Sequence, residues 1–220
     1  MLVDIATKCS GNIRDFVAFS SVCSSWRQAA TTAKSNVNWR VNMPWLLLCE
    51  NQNQNYRNLF DSDNSICYNI SIPESIGRKC YGTGSGWILC IGLDREIHLF
   101  NPITLARLDL PSVHTFPHQP DEDDPDNIRK DETVRNLFIH KAVVASQQDS
   151  SSLLVAVIYG LAPWTYLCVA KPGDSKWTHI ETNDLWLYEA AFFPSLGQII
   201  LIVDDKASLV GVKTAELMLN

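Results

Sequence analysis

Short apolar runs of strand length, each closed by a turn signal, constrain this chain more than any other feature. They fall at 65–72, 87–92, 96–100 and 107–110, and resume at 137–145, 153–159, 164–170, 177–180, 190–193, 198–203 and 209–212. Pro73, Gly77, the 82–86 glycine cluster, Asp94, Asn101-Pro102 and Pro172-Gly173-Asp174 punctuate them. Many strands at near-regular spacing predict a sandwich, barrel or propeller. A weak repeat is visible: a hairpin at 86–102 returns at 197–212. A four-stranded blade needs ~40–50 residues, so the segment 39–220 has room for about four.

The first 38 residues follow another period. Residues 2–8 read as the tail of a helix with Leu2, Ile5, Ala6 and Cys9 on one face, stopped by Ser10-Gly11. Asn12 is a good N-cap for a helix over 13–19, with Asp15 in its first turn and Phe16 and Phe19 on one face. Ser20 or Ser21 can cap a third helix running to about Thr32, in which Val22, Trp26 and Ala29 or Ala30 recur at helical spacing. Helices this short need something to pack against. A strand is expected to begin after Pro44, followed by an asparagine-rich loop over 51–58.

Composition excludes several classes. With 46% hydrophobic residues the chain is globular, and its net charge of −6 gives no basic surface for nucleic acid. Its longest apolar runs are far too short to span a bilayer, and residues 1–6 lack the features of a signal peptide. The seven cysteines form no CxxC pair and are read as buried reduced thiols, which fits the cytoplasm or nucleus. The charge run 120–132 reads as a solvated loop.

Catalytic chemistry is not legible. The cluster Gly82-Thr83-Gly84-Ser85-Gly86 lacks the lysine of a phosphate loop, is not a G-x-S-x-G elbow, and reads as a turn. His98, His114, His118, His140 and His179 include no HExxH, and Asp121 to Asp126 lack the glycine and glutamate of an EF-hand. No catalytic residue, cofactor or metal site is assigned.

Two sets of residues resemble known families. Residues 15–27, DFVAFSSVCSSWR, resemble the second half of an F-box with its Val-Cys-x-x-Trp-Arg core. Gly86-Trp87-Ile88, Leu99-Phe100-Asn101-Pro102-Ile103-Thr104 and Leu110-Pro111 resemble the KIB-type β-propeller of plant F-box proteins, and His140 to Val143, Lys171 to Thr178 and Glu189 to Phe193 follow in that family's order. The resemblance implies a mainly β fold, with a partial F-box over 1–35 and an incomplete propeller over 39–220. It also implies a substrate receptor of a Skp–cullin–F-box ubiquitin ligase, catalysing nothing itself. Leu2, Ile5, Phe16, Phe19, Val22, Trp26 and Arg27 would face the Skp adaptor or, for the apolar ones, form the helical core. Trp87 and Trp177 would pack between blades. A cullin would be reached through the adaptor, and the target would be an unknown protein. The F-box pattern opens with a Leu-Pro absent here and the family's propeller continues past Asn220, so truncation and weakened adaptor binding are expected. The alternatives are a stand-alone propeller interaction module and, third, an enzyme on a propeller scaffold.

Overall fold

In the computed structural model, residues 1–10, 13–36, 46–48, 57–62, 65–70, 72–102, 105–118, 131–146, 153–161, 164–182, 186–203 and 208–214 are described. The chain divides into two compact units, Met1–Ile72 with Ile103–Leu105, and Pro73–Pro102 with Ala106–Asn220. The expected boundary between 35 and 39 lies largely outside the described residues, as do Asn12, the cysteine at 49 and the aspartates between 121 and 126.

The first unit begins with three helices, α1 (Leu2–Cys9), α2 (Ile13–Ser21) and α3 (Ser24–Asn36). Phe16 and Phe19 of α2 and Ala29, Ala30 and Ala33 of α3 close a small core with Ala6 of α1. The alanines lie at i, i+1 and i+4, one face of a helix, and their lack of bulk leaves room for the two phenylalanine rings. The expected start of the third helix is corrected. α2 runs on through Ser20 and Ser21, and α3 starts at Ser24, with the Arg27 amide donating to the Cys23 carbonyl at 2.9 Å. Val22 therefore lies in the link between helices and not on the Trp26 face.

A three-stranded antiparallel sheet follows: β1 (Leu46–Leu47), β2 (Arg57–Asp61) and β3 (Ile66–Ile70). β2 replaces the end of the expected asparagine-rich loop. Its alternation runs Arg57, Leu59 and Asp61 inward, so two charged residues occupy buried positions and hide the period from hydropathy.

Among the described residues the second unit holds three meandering antiparallel sheets. They are β4 (Lys79–Gly82) to β7 (Arg107–Leu110) through β5 (Ile88–Ile91) and β6 (Ile97–Phe100); β8 (Ile139–Ser146) to β11 (Thr178–Ile180) through β9 (Leu153–Tyr159) and β10 (Tyr166–Ala170); and β12 (Leu187–Phe193), β13 (Gln198–Val203) and β14 (Ser208–Lys213). The repeated hairpins fill equivalent places, the second and third strands of their sheets. Stacking follows from alternation. Val155, Val157 and Tyr159 of β9 share a core with Leu89, Ile91 and Leu99, while Leu154, Ala156 and Ile158 share another with Ile199 and Leu201. The β8–β11 sheet is thus buried on both faces, which explains the unbroken apolar run of β9. Mainly β architecture and four antiparallel sheets among the described residues agree with the propeller expectation.

Further corrections are local. The charge run ends in a helix, α4 (Asp131–Leu137), with Asp131 and Glu132 in its first turn and Val134 and Phe138 against the core, so β8 begins at Ile139 rather than at Leu137. Residues 79–82 form β4, which was not expected. The glycine cluster is the β4–β5 hairpin turn: Thr83 Oγ1 donates to the Trp87 carbonyl at 2.8 Å, and Gly84 and Gly86 hold φ of 77° and 79°. Pro172-Gly173-Asp174 is the turn expected, with Asp174 Oδ2 accepting from the Lys171 amide at 2.7 Å. Of the described cysteines only Cys90 and Cys168 are buried. Cys23 and Cys67 are exposed, one in a helix link and the other on an outward strand position.

Candidate functional site

The helical module separates its apolar residues into two groups. Phe16 and Phe19 are buried, and Phe19 meets the Trp26 ring at 4.4 Å between centroids. Leu2 and Trp26 are half-buried against the same core, and Arg27 is exposed. Val22 is 60% exposed and Ile5 39% exposed. Of the seven residues expected to meet an adaptor or build the module, Phe16 and Phe19 do the second. Val22, Ile5 and Arg27 remain available at the surface, with the edges of Leu2 and Trp26.

The second unit carries an aromatic surface that the sequence reading did not single out. Trp164, Trp186 and Tyr188 are exposed. The Leu187 amide donates to Thr165 Oγ1 at 2.9 Å, joining the loop that carries Trp164 to the start of β12. Leu187 is buried while Trp186, just before β12, and Tyr188, at a register irregularity between Leu187 and Glu189, are exposed on either side of it. The signal was available in Trp186-Leu187-Tyr188, where aromatics flank a single aliphatic.

Histidines and aromatics also gather around Tyr166. His118 stacks on the Tyr166 ring at 4.6 Å and meets His179 edge-on at 4.7 Å. Burial, then the neighbouring His118, push the His179 pKa below the ordinary histidine range. Beneath them Tyr159 Oη donates to the Pro117 carbonyl at 2.7 Å, and burial raises its pKa far above that of free tyrosine. No group of three or more His, Cys, Asp or Glu side chains converges as metal ligands would among the described residues. Trp177 is 1% exposed; it stacks on Phe116 at 4.7 Å and donates from Nε1 to the Pro111 carbonyl at 2.9 Å. Trp87 packs half-buried on the same core. Both tryptophans lie between sheets.

Residues 58–216 match the family described as KIB1-4 beta-propeller, which takes in β3 to β14 and most of β2. The chain belongs to the KIB1-4 β-propeller family of plant F-box proteins. It is 26% identical over 176 residues to an Arabidopsis thaliana protein provisionally named F-box protein At2g33200, covering 76% of this chain and 43% of that one. It is 33% identical over 108 residues to the F-box/kelch-repeat protein At1g57790 of the same plant, covering 47% of this chain and 29% of the relative. The chain therefore spans less than half the length of these curated relatives.

Proposed function

We propose that this KIB-family chain is the substrate-recognition subunit of a Skp–cullin–F-box ubiquitin ligase. Its helical module docks on a Skp-type adaptor, and through it a cullin, while the propeller presents a target protein. The chain catalyses nothing itself; it raises the effective concentration of a bound target beside the ubiquitin-loaded enzyme. The observation that carries this reading is the division of labour in the helices. Phe16, Phe19 and the alanines complete the core without Val22, which stands at the surface between α2 and α3. An apolar residue whose exposure the module's own packing does not relieve is a suitable anchor for a partner groove. The exposed aromatics Trp164, Trp186 and Tyr188 are of the types that dominate interface energetics, and they supply a surface for the target. The reading places the protein in the cytoplasm or nucleus.

Co-purification of the full chain with a Skp-type adaptor tests it. The intact chain is expected to retain the adaptor. Val22→Asp is expected to weaken binding at least about tenfold while shifting stability by no more than about 0.5 kcal/mol, because the side chain is exposed. Failure of the folded wild-type chain to bind any Skp adaptor would overturn the reading, leaving a propeller interaction module without ligase function.

A further inference from the structure

Cys80 and Cys90 face each other across the β4–β5 ladder, register partners with their sulfurs 3.6 Å apart. Their place in the ladder can be worked out. The Thr83 amide donates to the Trp87 carbonyl at 3.3 Å, which makes that pair a hydrogen-bonded one. Bonded and non-bonded pairs alternate along an antiparallel ladder. Gly82 and Ile88 are then non-bonded, Tyr81 and Leu89 bonded, and Cys80 and Cys90 non-bonded. Non-bonded pairs bring opposite Cα atoms to about 4.5 Å, within the span a disulfide bridges. The two thiols are unequal. Cys90 is fully buried, whereas Cys80 is half-buried and near enough for its S–H to donate to the Arg78 carbonyl at 3.8 Å. Buried Cys168 differs from both: burial pushes its thiol up to about 12, and no second sulfur faces it among the described residues.

We propose that Cys80 and Cys90 are an oxidisable dithiol, a modification site that takes a hydroperoxide and closes into a cross-strand disulfide. Cys80, the less buried of the two, attacks one peroxide oxygen. The O–O bond breaks, Cys80 becomes a sulfenic acid, and the other oxygen leaves as water or an alcohol carrying the Cys80 proton. The Cys90 sulfur then attacks the Cys80 sulfur, and the hydroxyl departs as water with the Cys90 proton. Two electrons pass from the two thiols to the peroxide. The sulfurs approach from 3.6 Å to bonding distance within an existing ladder, so the fold supplies the geometry. In a reducing compartment such a bond is transient and reports oxidant. His98, opposite Cys90 on β6, is uncharged, and the cationic groups whose charge reaches this part of the sheet are Arg107 and Arg78.

The test needs only the full chain. Cleavage after Lys79 and Arg95 yields a tryptic peptide, 80–95, that contains both cysteines and no other. After treatment with about millimolar hydrogen peroxide and alkylation without reduction, this peptide is expected to be lighter by two hydrogens than the reduced peptide and to carry no alkyl group. The melting temperature is expected to rise by about 5 °C and to fall back with a dithiol reductant. Cys80→Ser should abolish both effects. Two alkyl groups on the peptide from peroxide-treated wild-type chain, or a sulfinic Cys80 beside an alkylated Cys90, would overturn the proposal. Because the wild-type spectrum alone decides, a variant that fails to fold does not rescue it.

Discussion

His98 should make the propeller unit sensitive to mild acid. It lies on β6 with no surface exposed, and the polar group that reaches its ring is the Glu74 backbone. Burial, then the charges of Arg107 and Arg78, lower its pKa from 6.5 to about 4; Asp109 and the Glu74 backbone oppose this without restoring it. Between those two values the unfolded chain binds the imidazole proton and the folded chain does not, so stability falls as pH falls. At pH 5 the difference is about 2 kcal/mol relative to neutral pH, and solvent screening brings the expected loss to about 1–2 kcal/mol. His98→Leu replaces the titrating group by an apolar side chain of similar volume and should abolish this loss. Urea unfolding of both proteins at about pH 7.5 and about pH 5, followed by tryptophan fluorescence, measures the terms. His179, whose pKa is also lowered, contributes to both chains and cancels in the comparison. If His98→Leu loses as much stability as wild type between the two pH values, the buried neutral histidine is not the source.

Two further substitutions probe the same unit. Trp177→Phe removes the donor to the Pro111 carbonyl and part of the stack on Phe116, and should cost about 2–4 kcal/mol, seen as a melting temperature roughly 5–10 °C lower. Gly86→Ala, at φ 79°, should cost about 1 kcal/mol, whereas Gly82→Ala, at ordinary φ with open space around its Cβ position, should cost much less; equal melting temperatures for the two would refute the turn assignment.

The sequence made the strands legible wherever hydrophobicity and turn chemistry agreed. β7, β9 and β13 begin and end where the pattern places them. It failed where a polar residue took an inward position or a charged segment took a regular one. Arg57 and Asp61 are buried in β2, and Asp131 and Glu132 sit at the start of α4, where they favour the helix dipole. Ser20 and Ser21 are good N-caps, yet α2 runs through both, because the phenylalanine core extends the second helix beyond its local stop signal. The helical module was legible as three short helices, but not which of its apolar residues face outward. Phe19 and Val22 lie three apart, but the break before Ser24 separates them, one into the core and one to the surface.

That break bears on the proposed docking role more than any strand does. A docking module must keep some apolar surface that its own folding does not consume, and in a module this small few side chains can serve both purposes. Had α3 begun at Ser20, Val22 would have joined the Trp26 face and packed against the same core. Starting the helix at Ser24 places Val22 in a link whose backbone bonds to both helices: its amide donates to the Phe19 carbonyl at 3.3 Å, and the Cys23 carbonyl accepts from Arg27. The link is therefore held by backbone bonds and not by the valine side chain. Replacing that side chain should change what the module binds before it changes whether the module folds.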